Sequence, residues 1–206
     1  MRSPLLPFAL AAIVTVLVGV AVTMEPYFAS DVRVAHGLQA LSPDPGWWAT
    51  PISRIPTAPA KYYVMAIAMV LAYALSGWKG LAISVGAIVL DQYGGEASKS
   101  IFGRPRPSPD LIHVFGTPSG FTFPSTTLTF ACATFGVLEM LAYRTKPSPI
   151  RTATIAVAES VIGVSCAARV ALGAHWPSDV LLTTLICLTW LWAVVRATIP
   201  KVVEEL

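Results

Sequence analysis

Charge is what this 206-residue sequence has least of. Only 12% of its residues are Asp, Glu, Lys or Arg, about half the share of a soluble domain. A water-facing surface cannot be covered with so little charge at this length, which excludes a soluble enzyme and a disordered chain. Fourteen basic residues against eleven acidic ones leave a net charge of +3, too small to suggest a polyanion, so nucleic acid is not expected as a partner. Cysteine and histidine are scarce as well. Cys132, Cys166 and Cys187 all sit in apolar runs, an odd number that suits buried small hydrophobes, not a disulfide framework or a zinc site. What is abundant is hydrocarbon: 55% of residues are hydrophobic and the mean hydropathy is +0.67. The chain reads as a single-domain integral membrane protein over residues 1–206.

A span takes about 20 mostly apolar residues. Six such stretches run near Leu5–Met24, Tyr62–Trp78, Leu81–Ile101, Thr126–Tyr143, Ile150–Leu172 and Val180–Ala197. The expected fold class is therefore all-α, six transmembrane helices in one bundle. The first stretch reads as an uncleaved span, since no clear cleavage site follows it. Placing the N-terminus inside puts Arg2, Lys79, Arg144, Lys146, Arg151, Arg196 and Lys201 on the cytoplasmic side. Arg33, Arg54 and Lys61 then lie in the first outer loop, and Lys99, Arg104, Arg106 and Arg169 at outer span ends. The count is even. The short Arg144–Arg151 loop, where positive charge weighs most, decides the orientation. Charges kept at span ends usually have a use. The proline-rich stretch 25–60 carries Trp47-Trp48, suited to an interfacial helix or anchor.

Three clusters gather at the outer ends of spans three to six. The first runs from Lys99 to Arg104-Pro105-Arg106-Pro107. Each proline pushes the arginine before it out of helical geometry, so the helix should stop near Gly103 and let Lys99 and Arg106 converge. The plainer alternative is snorkelling onto lipid headgroups. The second cluster, Pro124-Ser125-Thr126-Thr127, opens a span with free N–H groups and hydroxyls, a ready anion site; an ordinary serine cap is the alternative. The third is Arg169 through Gly173, His175, Pro177 and Asp179. His175 and Asp179 are four apart and can meet in a helical turn. A carboxylate on one ring nitrogen leaves the other free to attack. Cations, a helix start and an oriented imidazole on one face are the inventory of phosphoryl transfer, which is mostly positioning and charge stabilisation.

The ordered set Lys99…Arg106-Pro107, Pro124-Ser125, Arg169…His175…Asp179 resembles the three motifs of the type 2 phosphatidic acid phosphatase and vanadium haloperoxidase superfamily, over residues 99–179. The resemblance implies that His175 is the nucleophile, forming a phosphohistidine, and that Asp179 orients it. It implies that Lys99, Arg106, Arg169, Ser125 and the N–H groups from Thr126 onward bind phosphate. It implies no metal and no cofactor for the phosphatases. The substrate would be an amphiphilic lipid phosphate or polyprenyl diphosphate reached from the bilayer, and the location a bacterial cell membrane with the site facing the periplasm or exterior.

The sequence departs from the pattern at Ala168, where a serine usually precedes the third motif's arginine, and at Thr126 and Thr127, where the second motif has Gly-His. The family's second motif ends in a histidine that protonates the leaving group, and Thr127 stands there. A threonine hydroxyl is no general acid near neutral pH. His113 and Asp110, in the loop between the first two motifs, are candidates to replace it. Two other readings stay open: a relative that binds phosphorylated lipid without turning it over, and a lipid phosphotransferase. Of the remaining ionisable groups, Glu96 should pair with Lys99, and Glu139 and Glu159, inside spans four and five, should pair with hydroxyls or sit near polar depth.

Overall fold

The computed structural model describes residues 5–200; Arg2 and Lys201, used above to orient the chain, lie outside them. Among the described residues seven helices follow one another: α1 (Leu6–Met24), α2 (Ala29–Leu41), α3 (Gly46–Arg54), α4 (Ala60–Phe102), α5 (Thr126–Ala142), α6 (Pro149–Ala171) and α7 (Pro177–Thr198). Among the described residues there is no strand. The chain is all-helical and an integral membrane protein, with α1, α4, α6 and α7 each long and apolar enough to cross a bilayer.

Spans two and three of the sequence reading both fall inside α4, which is not straight. Ser76 (φ −148°, ψ 19°) and Gly77 (φ 58°, ψ −146°) leave helical geometry, and the second of these is a conformation glycine adopts at little cost. The chain doubles back there, because Lys61 Nζ donates to Gln92 Oε1 at 2.9 Å. In one straight helix those residues would be about 46 Å apart at 1.5 Å per residue. Gly80 sits against the Ala72 carbonyl, so close that a Cβ would lie 2.1 Å from its oxygen.

The bundle is built around α5, whose side chains are buried on nearly every face. Its middle widens into a π turn over Cys132–Gly136, which brings Gly136 against Leu188 of α7. This explains why 17 residues suffice here. A helix wrapped by protein need not match the bilayer thickness. The outer helices instead turn large apolar side chains outward, such as Ile13 and Leu17 of α1, Ile67 and Val70 of α4, Val157 of α6, and Leu181 of α7. Several threonine hydroxyls are satisfied within their own helices: Thr15, Thr134, Thr184 and Thr189 each donate to the carbonyl four residues back.

The two ends of the bundle differ. At one end Arg144 donates twice to the Ile199 carbonyl, and Lys79 donates to that of Thr198. The other end carries all three motif clusters and is capped by α2 and α3. Gln39 of α2 donates to the His113 and Ala171 carbonyls, while Trp48 and Ala49 of α3 pack on Ala168 and Leu172.

Candidate active site

Local rules place the motif residues as the sequence suggests. Gly103 takes a left-handed conformation (φ 60°) and ends α4 one turn after Lys99. Gly173 (φ 63°) ends the run of α6, and the chain folds back so that the N–H groups of Ala174 and His175 both donate to the Arg169 carbonyl. A Cβ at Gly173 would lie 2.1 Å from the His113 carbonyl oxygen, so the 111–115 loop is seated directly on this turn. Pro177 then opens α7.

His175 and Asp179 are both buried, at 1% and 0% exposure, and face each other without touching. His175 Nδ1 stands 3.8 Å from Asp179 Oδ2, beyond hydrogen-bond reach. The Thr122 hydroxyl fills the gap, 3.1 Å from Nδ1 and donating at 2.6 Å to Oδ2. The Trp176 N–H also donates to Oδ2. On the other side, Arg104 donates to Asp179 Oδ1 and to Ser178 Oγ, and reaches Asp31 of α2 at 3.4 Å. Asp31 in turn accepts from the Ser178 N–H and hydroxyl. Arg104 is therefore not a headgroup contact. It is 1% exposed, with its guanidinium also over the Phe28 ring, and it bridges two buried carboxylates, Asp31 and Asp179.

Arg106 lies nearer the surface. Its Nε donates to the Ser119 carbonyl and Nη1 to that of Ala174, one residue before His175. Burial pushes the Arg106 pKa down, with Asp179 and Glu96 opposing. The charges of Arg106 and Arg169 both bear on His175. Burial is the main force holding the His175 imidazole neutral; Asp179 opposes it, the two arginines add to it, and the pKa falls to about 4. Lys99 pairs with Glu96 at 2.8 Å, as the sequence suggests, and is itself buried.

Ser125 occupies the N-cap position of α5, yet its side chain caps nothing. Its N–H donates to Thr183 Oγ1, while its hydroxyl is buried and has no partner. The ordinary cap is thus ruled out as the use of this hydroxyl. Arg169 Nε is likewise buried and unpartnered. Unsatisfied polar atoms of this kind are rare and ask for an explanation. Thr126 packs near Gly95 of α4, which sets the start of α5 beside the Lys99 turn. Thr127 is buried. The structure thus joins His175, Asp179, Arg106 and Arg169 into one site, with Lys99 at its Glu96 margin.

The two candidate substitutes for the missing acid both have local partners. Asp110 accepts from Ser108, and the His113 ring rests on Phe115 at 4.2 Å. Glu159 does accept from a hydroxyl, that of Tyr143, but Glu139 keeps a buried oxygen without a partner. Sequence reasoning missed Arg104, Asp31 and Thr122. The only hint for Thr122 is a lone polar residue between Phe121 and Phe123. Among the described residues, no group of three or more His, Cys, Asp or Glu is poised to hold a metal ion.

Below the site a cavity of about 380 Å³ opens between α1, α4, α5 and α7. Phe102, Phe123 and Pro124 line its upper part, and Ala87, Leu90, Trp190 and Leu191 its lower part. A second, of about 640 Å³, shares those last four residues and continues down the same seam to Lys79 and Thr198.

Comparison with known proteins adds two findings. The family model described as the PAP2 superfamily matches residues 80–201. A solved structure described as the first transmembrane PAP2-type phosphatidylglycerolphosphate phosphatase from Bacillus subtilis is similar over 100% of both chains, with a TM-score of 0.69 at 19% identity. At that identity the likeness establishes the fold. No curated protein sequence matches the chain.

Proposed function

We propose, from the premise that the chain belongs to the PAP2 superfamily, that it is a six-span lipid phosphatase whose His175 attacks phosphorus. The observation that carries this reading is the pair of buried, unpartnered donors, Ser125 Oγ and Arg169 Nε. A phosphate seated between them and Arg106 would satisfy both and neutralise the cations. A neutral imidazole is the nucleophilic form, and burial keeps His175 in it. The apolar seam between α4 and α7 suits the chain of an amphiphile whose headgroup enters the cationic end. Six spans follow from counting the two arms of α4 separately, with the basic Lys79–Arg144 end cytoplasmic and the site on the outer face.

Attack by His175 Nε2 would form a phosphohistidine, with Asp179 steadying the charge that develops on the ring. Water then releases phosphate; another acceptor in its place would make the protein a phosphotransferase. Thr127 decides the leaving group. A monoester expels an alkoxide, which needs a proton, and such help is worth roughly 10²–10⁴-fold. A diphosphate expels a phosphate monoester that leaves as a stable anion. Substrate preference therefore falls on diphosphates, of which a polyprenyl diphosphate is the amphiphilic form. Purified protein should release phosphate from a polyprenyl diphosphate much faster than from phosphatidic acid. Thr127→His should raise the monoester rate more than the diphosphate rate, with His113→Ala as the control for substitution by that ring. Equal rates on both substrates in the unmodified and His113→Ala proteins would overturn the preference. No release from either would favour the binding-only reading.

A further inference from the structure

We propose that Thr122 is a positioning residue, a hydroxyl relay that sets the tautomer of His175 and couples it to Asp179; this rests on the reading of His175 as nucleophile. The geometry leaves one consistent arrangement of protons. Asp179 is flanked by donors on every side: Arg104 on Oδ1, the Trp176 N–H and the Thr122 hydroxyl on Oδ2. It is held as an acceptor only. The single Thr122 proton is consequently committed to Asp179 at 2.6 Å, and the hydroxyl oxygen can only accept from the imidazole 3.1 Å away. His175 must then carry its proton on Nδ1, which leaves the Nε2 lone pair free. When Nε2 bonds to phosphorus and the leaving group departs with its electron pair, the ring becomes cationic. The proton stays on Nδ1, and the charge is felt by Asp179 through the hydroxyl instead of across 3.8 Å of direct space.

The relay is rigidly placed. Thr122 is 0% exposed, and its N–H donates to the Arg104 carbonyl at 2.9 Å. One backbone contact thus sets the arginine on one side of Asp179 and the hydroxyl on the other. Serine would preserve the relay, and the nearly isosteric valine would remove it while filling the same space.

The test reads the proton directly. In purified protein labelled with ¹⁵N-histidine, without substrate and at neutral pH, the His175 signal, assigned by its loss in His175→Asn, should show a proton on Nδ1 and none on Nε2. A proton on Nε2 in the unmodified protein overturns the relay, whatever the behaviour of any variant. Thr122→Val should mix the tautomers and lower kcat by roughly 10²-fold or more, short of the ~10⁴ seen when an orienting carboxylate is neutralised, with KM changed by less than about threefold. Thr122→Ser should keep both the Nδ1 proton and kcat within about threefold. A Thr122→Val protein with unchanged tautomer and kcat would also overturn the proposal. Because the tautomer is read in the resting protein, its failure is separate from a failure to hydrolyse lipid phosphates.

Discussion

Asp179 accepts three hydrogen bonds and donates none, so its amide isostere cannot be accommodated. In Asp179→Asn the NH₂ must face either Arg104 or the Thr122 and Trp176 donors, donor against donor. The expected cost is about 10⁴ in kcat together with a loss of folding stability, checked by phosphate release and by thermal unfolding in detergent. Titration of His175 should also be displaced. Its pKa falls to about 4 because burial disfavours the charged ring, so protonation should begin well below the 6.5 of an ordinary histidine. Between these two values the unfolded chain binds the extra proton. This group's contribution to stability is therefore complete above about 6.5 and is lost as pH falls towards 4. A His175 ring signal that titrates at 6.5 would contradict the buried environment.

The helical breaks show what a sequence discloses and what it withholds. The ends of α4 and α6 were legible because Gly103, Gly173 and Pro177 act through their own backbone limits, and six apolar stretches were legible because hydrocarbon dictates their length. The partners of Arg104 were not. Nothing in Arg104-Pro105-Arg106-Pro107 says which arginine turns inward. That depends on Asp31 and Asp179, 73 and 75 residues away. Thr122 was hidden for the same reason, since its role exists only once α7 is docked. Ser125 was legible as a helix start, but only packing shows that its hydroxyl is unused by the cap. Close approach at glycines gives a graded expectation. Gly173→Ala meets a carbonyl oxygen at 2.1 Å with φ at +63°, and Gly80→Ala meets another at 2.1 Å, whereas Gly86→Ala meets nothing within 4 Å. The first two should each cost about 3 kcal/mol or more. The third should stabilise by up to about 1 kcal/mol through helix propensity. Thermal unfolding of the three variants checks the order.

The short basic loop between α5 and α6 and the candidate chemistry lie at opposite ends of the bundle, and one labelling experiment reads both. With the basic end in the cytoplasm, Pro109→Cys beside the first motif should react with a membrane-impermeant thiol reagent in intact cells. Pro147→Cys in the α5–α6 loop should be shielded until the cells are opened. Labelling of position 147 alone would put the chemistry in the cytoplasm. The covalent role of His175 is tested most directly by rapid quenching of the reconstituted protein after mixing with a polyprenyl diphosphate carrying ³²P on its terminal phosphate. An acid-labile, base-stable label should appear on the protein within the first turnover, and should be absent from His175→Ala, which should not release phosphate. Full activity in His175→Ala, or turnover by the unmodified protein with no trapped label on histidine, would contradict phosphoryl transfer through this residue.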